Sequence, residues 1–223
     1  MFVGHLALGF AAKRTCPTTP LPWFIAAVTA LDLVWPLFLL AGVEQVQIRP
    51  GATAFNPLVF ESYPWSHSLV TAVAWGVLLA GLARWRGVDR RALGVLVLLV
   101  GSHWVLDVIT HVPDLPLWPG PSPRLGLSLW NSLAGTYLVE GLLWVAGLVI
   151  YLRCTVTHSR AGRAAFWSFV LLCTGMWAAG PFGPPPPSVT GLAVFALVGW
   201  IVVPWAWWIE STRGLSSAPG ARP

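Results

Sequence analysis

Apolar residues fall in six long blocks along this chain, at residues 21–42, 67–83, 92–112, 133–152, 164–179 and 189–209, with short polar segments between them. A helix crossing the hydrocarbon layer needs roughly 20 residues, with about 17 as the lower limit. All six blocks reach or nearly reach that length, the second and fifth being the shortest. Residues 2–12 are also apolar but too short to cross. They predict a half-membrane or re-entrant helix packed against the bundle. No basic segment precedes them, and Lys13 and Arg14 follow instead, which is not the layout of a secretory signal. The pattern therefore predicts an all-α fold: a polytopic membrane helical bundle of about six transmembrane helices plus the short N-terminal helix. One domain would cover residues 1–210. The Ser-, Gly- and Pro-rich residues 211–223 read as a disordered cytoplasmic tail.

Composition sharpens this picture. The chain is 56% hydrophobic and 9% charged, with a mean hydropathy of +0.71, whereas soluble domains carry roughly 25% charged residues. So much apolar surface must face lipid. The net charge of +5 does not signal nucleic acid, because the basic residues form no single patch. Lys13 and Arg14, Arg84 to Arg91, Arg153 to Arg163, and Arg213 and Arg222 all fall on one side if six spans alternate, leaving Arg49 and Arg124 on the other. Basic residues concentrate in cytoplasmic loops, so that side, with the C-terminus, is predicted to be cytoplasmic. Cys16, Cys154 and Cys173 lack metal-ligand spacing, and two of them fall on the reducing side, where structural disulfides are not expected. The outer loops, 43–66 and 113–132, are rich in Pro, Gly and aromatics, and tryptophans near block ends suit an interfacial belt.

Ionisable groups inside spans are expensive and usually face a bundle interior or a cavity. Here His5, Asp32, His67, His103, Asp107, His111, Asp114 and Glu140 all lie within or beside apolar blocks. The third block is the densest. His103, Asp107 and His111 are spaced i, i+4, i+8, which places them within about 80° of one helix face. Pro113 is expected to end that helix before Asp114. Imidazole nitrogens and carboxylate oxygens are ligands that a zinc-type ion takes; the plainer reading is a polar stripe satisfied by neighbouring helices. Counted at about 1.5 Å per residue, these groups occupy the middle and outer half of the bilayer, as a buried site opening outward requires. Pro36 lies four residues after Asp32 and removes the helical donor for the Asp32 carbonyl. His67 follows a good cap residue, Ser66, and can be read as an interfacial residue at a helix start. Glu140 stands alone and suits either a structural hydrogen bond or a proton-accepting role. Glu61 and His158 read as solvated loop residues.

Four of these segments occur in a recognisable order: Gly4-His5, Asp32 ahead of Pro36, Ser66-His67-Ser68, and Ser102-His103 with Asp107 and Thr110, followed by Leu117-Trp118-Pro119. The first 120 residues thereby resemble the bacterial membrane-bound metal-dependent hydrolase family, a group that includes inner-membrane proteins described as LexA-binding hydrolases. Val34 and Trp35 stand where that family carries a second Asp and a His, and His111 and Asp114 are the candidate replacements. The resemblance implies a multi-pass protein of the bacterial inner membrane. It would hold a divalent metal, most plausibly zinc, through residues among His5, Asp32, His67, His103, Asp107 and His111. The ion would activate a water, with Asp107 or Glu140 as proton acceptor. A site at outer bilayer depth suggests a lipid-like or lipid-linked ester or phosphoester as substrate, with the bilayer itself as partner and no nucleic acid. The same groups also suit ion or proton binding or transport, or helix association through buried hydrogen bonds.

Overall fold

The computed structural model describes residues 1–216. Its helices are α1 (Val3–Ala12), α2 (Leu21–Leu40), α3 (Pro64–His67), α4 (Leu69–Trp85), α5 (Arg90–Thr110), α6 (Leu133–Cys154), α7 (Arg160–Ala179), α8 (Val189–Leu197) and α9 (Val202–Ser211). A 3-10 turn joins α8 to α9, so Val189–Ser211 forms one 23-residue helical path. Among the described residues, five helices are long and apolar enough to cross a membrane: Leu21–Leu40, Arg90–Thr110, Leu133–Cys154, Arg160–Phe182 and Val189–Ser211. The sixth expected span, α4, has 17 residues and sits at the lower limit. The 10-residue α1 is too short to cross. The architecture is the all-α membrane bundle read from the sequence.

Local chemistry sets the helix boundaries. Ser68, Asp89, Ser132, Ser159 and Ser188 each accept a backbone N–H at a helix start, satisfying donors the first turn leaves unpaired. The α2 and α4 ends are closed by Gly42 (φ 69°) and Gly87 (φ 84°), whose left-handed backbone needs no Cβ. The N–H groups of Val43 and Val88 then reach back to the Phe38 and Ala83 carbonyls. Helix α5 stops at Thr110, ahead of Pro113, and its freed carbonyls are used by the following loop: Leu127 N–H donates to Val108 and Ser128 N–H to His111.

Helix α2 is central. On one side, Val28, Leu31 and Trp35 pack with Leu96, Val100 and Trp104 of α5 and with Ala72 of α4. On the other, Leu21 and Ile25 join Leu6 and Phe10 of α1, Trp144 and Tyr151 of α6, Phe166 and Phe169 of α7, and Ile209 of α9. Phe10 alone meets four aromatic rings. Large apolar side chains such as Leu78, Leu98, Leu142, Leu171 and Val198 point outward, onto the surface that a bilayer covers.

Three short antiparallel pairs lie outside the helical pattern. Strands β1 (Gln45–Ile48) and β2 (Leu58–Ser62) form a hairpin between α2 and α3; β3 (Leu115–Pro116) pairs with β4 (Arg124–Leu125). Strand β5 (Thr155–Val156), after α6, pairs with β6 (Gly214–Leu215), after α9. Residues 211–216, assigned to the tail by composition, thus end α9 and form β6; residues 217–223 lie outside the described part. At the same end Lys13, 2% exposed, donates to Glu210 Oε1 and to the Thr19 carbonyl, while Glu210 Oε2 caps α2 through Leu21 N–H. The ends of α1, α6 and α9 and the starts of α2 and α7 therefore meet on one side, as alternating spans require.

Candidate functional site

The ionisable groups converge. Asp32 from α2, His67 from α3, and His103 and Asp107 from α5 surround one point. The Nε2 of His67 lies 3.6 Å from Asp32 Oδ1 and 3.9 Å from Asp107 Oδ2; the Nε2 of His103 lies 3.7 Å from Asp32 Oδ1 and 3.1 Å from Asp107 Oδ2. From α1, His5 Nε2 lies 3.0 Å from Asp107 Oδ1, and its ring stacks on that of His103. The Met1 amino group is 2.6 Å from the same Asp107 oxygen. All but Asp32 are buried, and the Asp32 side chain is 46% exposed. Two sets of donor atoms lie within 4.8 Å of one another, His5–His103–Asp107 and Asp32–His67–His103.

The far sides of the rings determine what they present inward. His103 Nδ1 donates to the Val28 carbonyl at 2.7 Å, so the neutral ring carries its lone pair on Nε2. That Nε2 finds no hydrogen-bond partner among the described residues, though it faces two carboxylates. His67 repeats the arrangement. Ser66 Oγ donates to Glu44 Oε2 at 2.7 Å and lies 2.7 Å from His67 Nδ1. With its single hydrogen committed to Glu44, Ser66 accepts from Nδ1, and the Nε2 lone pair again points inward. Glu44 is itself fixed by the N–H groups of Trp65 and Ser66. Burial pushes its carboxyl above the ordinary value, opposed by the hydrogen bonds from Ser66.

His111 does not join this centre. Helix α5 ends at Thr110, and although the His111 N–H still bonds the Asp107 carbonyl, the His111 ring lies against Phe60, Tyr63 and Trp130. Its Nδ1 lies 3.0 Å from Asp114 Oδ1 and 3.3 Å from Tyr63 Oη, and Tyr63 donates to Asp114. Burial, then the neighbouring Asp114 charge, raise the Tyr63 phenol well above its ordinary range, keeping it a donor. His111 still lines a cavity of about 140 Å³ beneath the β1–β2 loop, together with Asp32, Trp35, His67, Asp107 and Trp130. Trp35, one of the two departures from the resemblance, forms part of that wall and packs against Phe60.

Glu140 lies apart from the donor atoms. Its Oε2 accepts the N–H groups of Phe2 and Gly4 at 2.9 and 3.3 Å, capping α1 from α6. Its position fixes the helix that carries His5. His158 is exposed, and Glu61 is exposed and bonded to Gln47. Glu44 is the residue sequence reasoning passed over. It belongs to the loop between α2 and α3, and the β1–β2 hairpin brings it to Ser66, so no spacing in the chain announced it.

The YdjM inner membrane protein family matches residues 63–184, more than half of the 223-residue chain. The chain belongs to that family. It is accordingly a multi-pass inner-membrane protein. The YdjM match covers His67, His103, Asp107, His111 and Glu140; His5, Asp32 and Glu44 lie ahead of it. No curated protein and no solved structure matches the chain.

Proposed function

We propose that this YdjM-family protein is a membrane-embedded metal-dependent hydrolase acting on a lipid or lipid-linked ester or phosphoester. In this reading Asp32, His67 and His103 would hold a divalent ion, with a position left open for water, while Asp107 stands beside them and His5 supports Asp107. The observation that carries it is the closeness of three donors, Asp32, His67 and His103, whose ligand atoms lie within 4.8 Å of one another. An ion bound tetrahedrally at roughly 2.0–2.1 Å separates its ligands by about 3.3 Å, and the two imidazole nitrogens lie 3.6 and 3.7 Å from Asp32 Oδ1. The Nε2 of His103 faces the Asp32 and Asp107 carboxylates, an arrangement that a cation beside them would satisfy. Two nitrogens and one oxygen suit zinc among common divalent ions. Bound there, the ion would lower the pKa of a water and polarise a substrate oxygen.

The chain's own residues supply the rest. Val28 and the Ser66–Glu44 pair fix the tautomers and orientations of the two imidazoles. Asp32, the exposed member, borders the space where substrate would lie. Asp107 is the nearest carboxylate to act as proton acceptor, a role that Glu140, committed to α1, does not take. The basic side of the bundle, bearing the C-terminus, faces the cytoplasm by the positive-inside rule.

The linked Glu44–Ser66–His67 hydrogen bonds favour one alternative, passage of a proton or ion through the cluster without hydrolysis. Elemental analysis of the detergent-purified full-length protein separates the readings. The hydrolase requires about one zinc per chain, retained through size exclusion and lost in His103→Ala that remains monodisperse. Metal-free wild-type protein with an intact helical spectrum would overturn it.

A further inference from the structure

We propose that a cleft in the side of the bundle binds one hydrocarbon chain of a single-chain amphiphile, holding its ester or phosphoester head at Asp32. This rests on the hydrolytic reading of the Asp32–His103 cluster and specifies the substrate class for it. The cleft has a volume of about 280 Å³ and is enclosed by α1, α2, α7 and the α8–α9 path. Its inner wall includes Leu6, Leu33, Phe169 and Trp205. Its lip, formed by Leu172, Met176, Phe195, Val198 and Ile201, is exposed on the lipid-facing surface.

Three features identify the occupant. First, the lining is apolar except at Asp32 and Thr29, and the Thr29 hydroxyl is already committed to the Ile25 carbonyl. Ordered water needs two to four polar partners, and this wall offers too few. The Leu33 carbonyl, near Pro36, accepts from Trp200 Nε1 at 3.0 Å. An alkyl chain from the surrounding bilayer needs no partner and gains from burial. Second, Phe2, Asp32 and Trp35 line both this cleft and the 140 Å³ cavity beneath the hairpin. The apolar cleft and the smaller cavity thus share the half-exposed carboxylate as a common wall, so a chain lying in the cleft has its apolar–polar boundary beside the donor cluster. Third, small-molecule pockets usually run from roughly 300 to 1,000 Å³. A cleft of 280 Å³ has room for about one hydrocarbon chain and not for two side by side.

The test uses the full-length protein in lipid nanodiscs and two photo-activatable probes, a lysophosphatidylcholine and a diacyl phosphatidylcholine, each with a diazirine near a chain terminus. Cross-linked peptides are mapped by mass spectrometry, and zinc is measured on the same samples. The lyso probe is expected to label the 169–176 and 195–205 segments selectively. Gly199→Leu should reduce that labelling about tenfold at unchanged zinc content, because a Cβ at Gly199 meets nothing within 4 Å and the longer side chain would project into the cleft. Ile201→Trp, at the exposed lip, is the second blocking variant should Gly199→Leu misfold. Uniform labelling of all outward-facing helices, equal labelling by the diacyl probe, or labelling unchanged in both variants overturns the chain site. Selective labelling on zinc-free protein supports the chain site and instead removes the hydrolytic reading.

Discussion

The imidazole of His5 stacks on that of His103, with ring centroids 3.7 Å apart and planes 5° from parallel. One residue comes from a short helix that does not cross the membrane and the other from the middle of α5. The stack therefore does two things, docking α1 and aligning His5 Nε2 on Asp107. His5→Phe separates them by keeping a stacked ring without the nitrogen. We expect thermal stability to be nearly retained and zinc affinity, measured by competition with a chelator, to fall about 10–100-fold. Unchanged affinity would mean that the ring serves packing alone.

Glu44 acts on the centre through Ser66 and His67. Glu44→Gln keeps the shape but weakens the acceptor that draws the Ser66 proton, and so loosens the tautomer of His67. Zinc affinity is expected to fall about tenfold while the melting temperature changes little. Glu44→Ala also strips the acceptor from the Trp65 and Ser66 N–H groups, and about 1–3 kcal/mol of stability should go with it. Equal affinity in wild type and Glu44→Gln would place Glu44 outside the site's function.

Gly147 lies against the backbone of Ala7, where an added Cβ would come within 2.4 Å of the Ala7 carbonyl oxygen. No side-chain rotation relieves that clash, so Gly147→Ala must push α1 off α6 and move His5 with it. We expect a loss of about 1–3 kcal/mol in detergent melting curves, together with reduced zinc. Gly175→Ala on α7 is the control, since a Cβ there meets nothing within 4 Å; it should be neutral or slightly stabilising.

Lys13 and Glu210 join the first and last helices. Glu210→Gln leaves the ammonium of Lys13 buried and unpaired, and should cost about 3–5 kcal/mol. Lys13→Met should cost less, because the Glu210 side chain is 26% exposed and can rehydrate. The double variant should recover part of the loss, and additive losses would show that the pair contributes no coupling.

The spans were legible because an apolar block needs no tertiary information to be read. The convergence of His5, Asp32, His67, His103 and Asp107 was legible for a related reason: each sits where lipid would penalise it. His111 shares a cavity with Asp32, His67 and Asp107, but its Nδ1 faces Asp114 and Tyr63, partners that its i+8 spacing does not reveal. The cap before α4 is Ser68, with Thr71, and not Ser66, which frees Ser66 to orient His67. Glu44 and the burial of Lys13 depend on partners 22 and 197 residues away, distances over which periodicity carries no signal. The β5–β6 pair joins two segments that composition alone assigns to loop and tail.

Helix α1 owes its place to α6, through the Glu140 cap 138 residues downstream of Phe2 and the close approach at Gly147. During synthesis the helix bearing His5 can meet α2 and α5 early, but its cap and its closest backbone neighbour arrive only with the fourth long block. Asp32, His67, His103 and Asp107 belong to earlier segments, so His5 is the one side chain of the cluster whose final seating waits for the later part of the chain.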